Sequence, residues 1–328
     1  MRFFALGFAL LAAGAAWAEL PPPPSGSELQ LFVENDMLAR TDRYYTNGIK
    51  LGVGLPFDLL QHPAAELLRQ LAPQSSESAH VGLFVGQNLY TPKSIKIAAP
   101  QPYDRPWAAW LYLGGVAQRA VGNSLDTVEI DVGMVGPAAL GRQVQSNWHR
   151  LIGSPQPQGW DNQLPNEPAF LVSWLQKRRY GGDSVDFVPH GGVTVGTVMT
   201  LARVGGMLRA GQNLSGYGPD TIEPGGAMLQ ATRAAGEAPR HGREWYVFAG
   251  LDQRLVARNI FLDGTAFRDS PAVERRPHVR DVSAGFSFRY EGLRFSWTRI
   301  RRSEEFRTPL GGGGRQTFDS LNLGIEFW

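Results

Sequence analysis

Apolar and polar residues alternate along most of the chain. In the stretch 46–55 one face carries Ile49, Leu51, Val53 and Leu55, and the other carries Gly48, Lys50, Gly52 and Gly54. In the stretch 127–134 one face carries Val128, Ile130, Val132 and Met134, and the other includes Glu129 and Asp131. A period of two residues is typical of β-strands with one apolar face. The chain is therefore predicted to be all-β.

Roughly a dozen strands are predicted, many of them about nine to eleven residues long, which is enough to cross a membrane when the strands are tilted. Besides the two stretches above, the candidates are 29–33, 81–90, 107–116, 170–177, 192–200, 203–210, 244–257, 282–290, 292–300 and 321–328. The segment Pro219 to Arg243, rich in Gly, Pro and Arg, is predicted to be a long loop.

Two architectures produce this alternation: an exported β-sandwich, and an outer-membrane barrel with its apolar face toward lipid. Strand length and the aromatic C-terminal strand favour the barrel. Aromatic residues at the ends of strands also favour it, namely Tyr90, Trp107, Trp110, Trp174, Trp245, Trp297 and Trp328. We therefore predict a transmembrane antiparallel up-and-down β-barrel of about twelve strands.

The N-terminus carries the features of a secretory signal peptide. Arg2 precedes an apolar core, 3–16, and Ala16-Trp17-Ala18 is a small-x-small cleavage site. Residues 1–18 are predicted to be the signal peptide, and 19–328 to form a single barrel domain. No later stretch approaches the roughly 18 apolar residues of a membrane-spanning helix. The chain has no Cys, so an exported fold must be stabilised without disulfides, and a net charge of +2 gives no reason to expect nucleic acid as a partner.

Three polar segments are predicted to share one rim of the barrel. If the chain enters from the periplasm, strand parity places 35–45, 91–106 and 136–168 on the outer side. Pro137 is suited to the first position of a helix over 138–152. Leu140, Val144, Trp148 and Leu151 form a stripe that we expect to pack on the barrel wall, which leaves Gln145 and His149 at the edge of the contact.

His149 is the best candidate for a catalytic base, because the pKa of an ordinary histidine is close to working pH. The alternative is a plain surface histidine on a helix. The pair Asn35-Asp36 is compatible with a simple turn, or with a Ca²⁺ site built from carboxylate, amide and backbone oxygens. The sequence has no G-x-S-x-G elbow, zinc spacing or phosphate-binding glycine loop. Water activated by histidine is therefore the simplest hydrolytic arrangement left.

Taken together, the motifs resemble the outer-membrane lipid A 3′-O-deacylase family. They occur in order between about Leu29 and Pro168. They are Glu34-Asn35-Asp36, Thr41 to Gly48, Gly86-Gln87-Asn88-Leu89-Tyr90-Thr91-Pro92, Asp104-Arg105-Pro106, Gly133 to Pro137, Gln143-Val144-Gln145, His149 to Gly153, Gly159 to Gln163, and Asn166-Glu167-Pro168.

The resemblance implies a Ca²⁺-dependent esterase in the outer membrane. It would remove the 3′-linked acyloxyacyl chain of lipid A with its site facing the outer leaflet. His149 would be the base, Asn35 and Asp36 would be placed at the cation and oxyanion, and Thr46 and Gln145 would orient water or substrate. Lys96, or alternatively Lys93, would contact a sugar phosphate. Ser154-Pro155 stands where the family can carry an acidic residue.

Arg43 and Arg105 are further candidates for binding phosphate, with ordinary surface charge as the alternative. Two other functions remain open for the whole chain. One is a barrel without catalysis, either a pore or a scaffold, and the other is a phospholipase acting on glycerophospholipids. We expect a monomer embedded in the membrane, with lipopolysaccharide as its partner.

Overall fold

The computed structural model describes residues 26–37, 43–56, 78–223 and 242–327. The predicted signal peptide lies outside these residues. The strands are β1 (Glu28–Asn35), β2 (Tyr44–Pro56), β3 (Ser78–Thr91), β4 (Ala108–Val121), β5 (Ser124–Val135), β6 (Glu167–Arg178), β7 (Tyr180–Gly181), β8 (Val185–Gly196), β9 (Met199–Gln212), β10 (Arg243–Asn259), β11 (His278–Tyr290), β12 (Leu293–Arg302) and β13 (Gln316–Glu326). One longer helix, α1 (Gly141–Ile152), follows β5. No helix in the described ranges is both long and apolar enough to span a bilayer.

Twelve of these strands form a closed antiparallel barrel, as predicted. Each strand pairs with its neighbours along the chain, β1 pairs with β13, and β6 pairs with β8 across the two-residue strand β7. One predicted boundary is wrong. The candidate strand 192–200 crosses a hairpin, because β8 ends at Gly196 and β9 begins at Met199. The connection, Thr197-Val198, has none of the Asn or Gly residues that mark tight hairpins, so the pattern did not reveal it.

The outer wall of the barrel is apolar. Exposed large apolar side chains recur at every second position of the strands, among them Leu51, Leu83, Leu113, Val132, Phe170, Val195, Val247, Val282 and Leu323. Polar residues alternate with them and point into the lumen, where Lys50 binds Glu129 at 2.7 Å. A wall of this kind is suited to lipid contact.

Charged residues in the lumen form a connected network. Asp281 accepts hydrogen bonds from Arg254 and Arg302, and Arg302 also contacts Glu223 and Glu305. These residues are buried, and each charge has an opposite partner. Buried charges require such pairing because unpaired ones are costly in a low-dielectric interior.

Part of the long loop predicted after β9 lies inside the barrel. Leu214 N donates to Asp183 O beside the turn after β6, which is at one end of the barrel. Ile222 N donates to Glu34 Oε1 at 2.8 Å. Glu34 lies near the C-terminal end of β1, which is at the opposite end of the barrel. The next residue, Glu223, accepts a hydrogen bond from Arg302 Nη1 through its Oε2 at 3.0 Å. The segment 213–223 therefore runs lengthwise through the lumen. The rest of the predicted loop, up to His241, is outside the described residues.

The two ends of the barrel differ. We call the end with the connections after β1, β3, β5, β8, β10 and β12 the upper rim. The lower rim carries residues 26 and 327, the first and last of the described residues, and the other connections. The segments after β1, β3 and β5 leave from the upper rim, as strand parity predicted. Helix α1 and the candidate site residues are all connected to this rim.

Candidate active site

Helix α1 has three distinct faces. Gly141, Gln145 and His149 form the buried face. An apolar face beside it is exposed to 46% at Leu140, 37% at Val144 and 72% at Leu151. The third face carries exposed polar residues, namely Arg142, Gln143, Asn147 and Arg150. The prediction that the apolar stripe packs on the barrel is wrong, because the helix packs through its small and polar side chains.

The start of the helix also differs from the prediction. Pro137–Ala139 forms a separate 3₁₀ turn, and Leu140 adopts a left-handed φ of 60° before α1 begins at Gly141. The chain therefore changes direction between the two helical pieces. This break allows Gly141 to approach the barrel wall. Helix propensities along the sequence do not reveal it.

The wall under the helix explains which face is buried. Leu89, Ile95, Trp107, Ala109, Ala139 and Trp160 form an apolar cluster on the outer face of β3 and β4. A Cβ at Gly141 would lie 2.5 Å from Trp160 and 2.6 Å from the Cβ of Ala109. Only glycine at position 141 permits this close approach of the first turn of α1 to the wall. Gln87 on β3 fixes the same contact by donating to Ala139 O at 2.6 Å.

Gln145 is held by Trp160, whose Nε1 donates to Gln145 Oε1 at 2.8 Å. Trp160 itself is 1% exposed and lies against Trp107 with ring centroids 5.0 Å apart. The amide oxygen of Gln145 thus has a donor, and its NH₂ group is on the same buried face as His149. Sequence reasoning included Trp160 only as a motif residue and assigned it no role.

His149 is 4% exposed, and its Nδ1 lies 2.5 Å from the carbonyl oxygen of Pro155. A carbonyl oxygen only accepts, so Nδ1 carries a proton, and in the neutral ring Nε2 is the nitrogen with the lone pair. This is the tautomer that a general base requires. The contact gives Pro155 a function at the place where the family can carry an acid, because its backbone orients the imidazole.

A left-handed turn brings Pro155 back to the histidine. Gly153 ends α1 with a φ of 71°, and both Gly153 N and Ser154 N donate to His149 O. Glycine at this position is the common helix C-terminal signal. The carbonyl that orients the imidazole is therefore supplied by the same turn that closes the helix.

Asn35 and Asp36 follow the last residues of β1 at the upper rim. Asn35 Oδ1 accepts from Met37 N at 2.6 Å, and Asp36 Oδ2 accepts from Arg43 N at 2.9 Å. Asp36 is 1% exposed. The predicted turn is therefore present, and it buries a carboxylate that accepts a hydrogen bond from the backbone N–H of Arg43.

Thr46 reaches the outer face through a β-bulge. The register between β2 and β3 shifts between Tyr45 and Asn47, so Thr46 is the extra residue. Its Oγ1 lies 2.7 Å from Thr91 Oγ1. Tyr45 and Tyr90 meanwhile point into the lumen, with ring centroids 5.3 Å apart. A bulge re-aims a side chain in this way, and it places the Thr46 hydroxyl on the face that carries Asn35.

The predicted cations divide into exposed and buried groups. Lys93 and Lys96 are exposed, and Ile95 between them packs in the cluster with Trp160. Arg43 is half-buried, with its guanidinium 5.3 Å from the Tyr44 ring centroid. The structure is compatible with either lysine as the phosphate contact.

Arg105 is not a surface cation. It is 0% exposed, donates to Glu305 at 3.3 Å, and lies 4.8 Å from the Tyr90 ring centroid. The prediction that it contacts phosphate on the rim is therefore wrong. Its neighbour Asp104 accepts from Lys93 N and Arg105 N, and burial raises the pKa of the Asp104 carboxyl. Both residues hold the loop after β3.

Strand pairings and hydrogen bonds link the elements that carry the predicted site residues. Asn35 is opposite Asn47 on β2, the Thr46–Thr91 contact joins β2 to β3, and Gln87 joins β3 to the helix. The linked elements carry a buried imidazole, an amide, hydroxyls and a carboxylate, which are the kinds of group that hydrolysis by activated water uses.

The oxygen atoms of the turn after β1 are of the chemical kinds that bind a hard cation. Ca²⁺ prefers carboxylate, amide, hydroxyl and carbonyl oxygens, and the turn after β1 offers the Asp36 carboxylate and the Asn35 amide. Within the described ranges, no group of three or more His, Cys, Asp or Glu is placed to hold a metal. Any cation here would therefore depend on one carboxylate and neutral oxygens.

The model of the family described as outer membrane protein LpxR matches residues 3–327. The chain belongs to the LpxR family. The family predicted from the motifs is thus confirmed, and this LpxR-family barrel is an outer-membrane protein of a family that remodels lipid A.

The solved structure of one LpxR protein shares this fold. LpxR from Salmonella typhimurium superimposes with a TM-score of 0.71 at 20% identity, covering 92% of this chain and 100% of that one. The β domain of the Bordetella autotransporter BrkA has a TM-score of 0.45 at 11% identity, covering 92% and 98%. No curated protein sequence gives a significant match.

Proposed function

We propose that this LpxR-family protein is an outer-membrane esterase that removes the 3′-linked acyloxyacyl chain of lipid A. The observation that carries the proposal is the buried imidazole of His149, whose Nδ1 contacts the carbonyl oxygen of Pro155 at 2.5 Å. A base on the outer wall of the barrel can reach the ester of a lipid that stays in the membrane. Helix α1 and the long connections lie at the upper rim, and residues 26 and 327 lie at the lower rim, which favours an outer-leaflet site.

In the proposed reaction, His149 Nε2 takes a proton from water as the water oxygen attacks the ester carbonyl. Pro155 O keeps the imidazole in the required tautomer and stabilises the imidazolium. Gln145 and Thr46 position the water and the ester. The imidazolium then returns its proton to the leaving sugar oxygen, and the acid and alcohol products separate.

In this proposal, calcium would provide a positive charge that two residues of the turn after β1 hold in place. Asp36 and Asn35 would hold Ca²⁺, which would supply positive charge beside the developing oxyanion. Removing one such stabilising group costs roughly 3–4 kcal/mol in comparable sites. Lys96 or Lys93, together with Arg43, would bind a lipid A phosphate at the rim.

The apolar face of α1 supports a substrate that arrives from the membrane. Leu140, Val144 and Leu151 are exposed next to the apolar wall, so the helix can lie among acyl chains. Its polar face, which includes Arg142 and Arg150, is then directed to the headgroups. The same arrangement would suit a glycerophospholipid, so the choice of lipid needs a direct test.

That test supplies purified protein with lipid A and with phosphatidylethanolamine in mixed micelles containing Ca²⁺. We expect release of acyloxyacyl chains from lipid A and negligible fatty acid from phosphatidylethanolamine, measured by mass spectrometry. Faster hydrolysis of the phospholipid would make the protein a phospholipase.

The filled lumen argues against the pore alternative. Segment 213–223 crosses it, and the cavity between Lys177, His190, Asp252 and Asp281 measures about 60 Å³, room for a few waters. We expect the protein in planar bilayers to show no steady conductance, with a 16-stranded porin as the positive control. Stable open channels of nanosiemens size would revive the pore hypothesis.

Gly141→Val tests the close contact of the helix. The added side chain would meet Trp160 and Ala109, so α1 must move off the wall and carry His149 out of place. We expect deacylation to fall about 100-fold, as small displacements of catalytic groups cost this much. Gly153→Asn is the matched control, because its Cβ meets nothing within 4 Å and asparagine tolerates the left-handed turn. Full activity in Gly141→Val would show that the helix position is unimportant.

A further inference from the structure

A groove of about 520 Å³ lies on the outer wall of β10, β11 and β12, away from the candidate active site. Its floor is Ala284, which is opposite Ala249 on β10. Val247, Val282, Phe286 and Trp297 form its sides. Two small residues that face each other among large ones leave a depression in the apolar outer wall, and hydrocarbon suits such a depression chemically.

Three exposed arginines surround the upper end of this groove. Arg299 is opposite Ala284, and Arg301 is opposite Val282, one step nearer the upper rim. Arg280 precedes Val282 on the same face of β11. Their side chains point outward, in the direction of the lipid rather than the lumen.

Arg299 is held in a fixed orientation. It donates to Asp319 through Nε and Nη2, both at 3.0 Å, and Trp297 Nε1 donates to the same carboxylate at 3.0 Å. Its guanidinium lies 5.6 Å from the Trp297 ring centroid. Asp319 therefore orients both the guanidinium and the indole at the top of the groove.

The other two arginines are not neutralised by the protein. Across 26–37, 43–56, 78–223 and 242–327, neither Arg280 nor Arg301 has a carboxylate within salt-bridge distance. Outward-facing arginines on a barrel wall are tolerated near the interfaces but still favour a counter-charge. Arginine pairs with phosphate through two parallel hydrogen bonds, which makes phosphate the fitting partner.

We propose that this groove binds one lipid A molecule that is not the substrate. A phosphate of that lipid is paired with Arg280 and Arg301 and lies beside Arg299, and an acyl chain lies over Ala284 against Phe286 and Trp297. The bound lipid supplies the counter-charge that Arg280 and Arg301 lack within the described residues. The proposal needs no hydrolysis and is independent of the esterase mechanism.

Native mass spectrometry of the full-length protein in detergent tests the proposal. Every protein carries His149→Gln so that bound lipid is not consumed. The double variant Arg280→Gln/Arg301→Gln is compared with Arg178→Gln/Arg243→Gln, which removes the same charge from exposed arginines at the lower rim. Bisphosphorylated lipid A, its dephosphorylated form and phosphatidylglycerol are titrated separately, and heat-modifiability on gels verifies folding.

We expect the upper-rim double variant to bind one lipid A fewer, or with at least about tenfold weaker affinity, while the lower-rim control matches the parent. Ala284→Phe, which fills the groove without changing charge, should have the same effect. Equal binding by upper-rim variant and parent, equal binding of dephosphorylated lipid A, or preferential retention of phosphatidylglycerol would each overturn the proposal.

Discussion

His149→Gln is expected to lower kcat for lipid A deacylation by about 10²–10⁴-fold, the usual contribution of a general base. Glutamine fills similar space but cannot accept and return the proton of water. The structure predicts little change in KM, because the imidazole is buried on the helix contact and is not a major lipid-binding surface.

The measurement is initial-rate release of acyloxyacyl chains from lipid A micelles, with folding verified by heat-modifiability. Arg150→Gln, an exposed neighbour on the polar face of α1, is the matched control and should retain wild-type rates. A His149→Gln protein with more than a tenth of the wild-type rate would remove histidine from the mechanism.

Asp36→Asn is expected to lower activity by about 10²–10³-fold and to abolish its dependence on added Ca²⁺. The amide oxygen of asparagine still accepts from Arg43 N, so the turn after β1 is preserved while the negative charge is lost. The effect is thus one of charge, not of folding.

Deacylation rates of wild type and Asp36→Asn are measured during titration with Ca²⁺, Mg²⁺ and chelator. Asp161→Asn is the charge-matched control, since Asp161 is exposed and its visible contact is with Arg142 on the helix surface. If Asp36→Asn keeps the Ca²⁺ response of the wild type, the cation is held elsewhere or is not used.

The alternation of residues was sufficient to predict the barrel and its strand parity, because one apolar face per strand is a direct requirement of lipid contact. It was also sufficient to place the segments of Asn35, Lys96 and His149 on one rim. It failed at Thr197-Val198, where a two-residue turn of ordinary residues continues the pattern.

Features that depend on tertiary packing could not be predicted. The helix has an apolar stripe, and in a soluble protein that stripe would be buried; here lipid is available to it, and Gly141, Gln145 and His149 take the protein side. The orienting role of Pro155 belongs to a backbone carbonyl, which side-chain patterns do not report. The β-bulge that turns Thr46 outward has no Gly at that position, so the sequence shows no sign of it.

Charge alone was similarly insufficient. Arg43 and Arg105 look alike in sequence, yet the second is fully buried against Glu305 and Tyr90. The passage of 213–223 through the lumen depends on pairs such as Ile222 with Glu34, which are separated by most of the chain. Such long-range partners follow from the closed barrel and not from local composition.

The mass of lipid A extracted from outer membranes is the most direct test of the central claim. Membranes in Ca²⁺-containing buffer are compared with and without the wild-type protein, with His149→Gln as the control, and tandem mass spectrometry assigns the position of each acyl chain. We expect wild-type protein to remove one acyloxyacyl unit, from the 3′ position, and His149→Gln to leave the lipid intact. An unchanged acyl pattern with the wild type, or loss of a chain from another position, would contradict it.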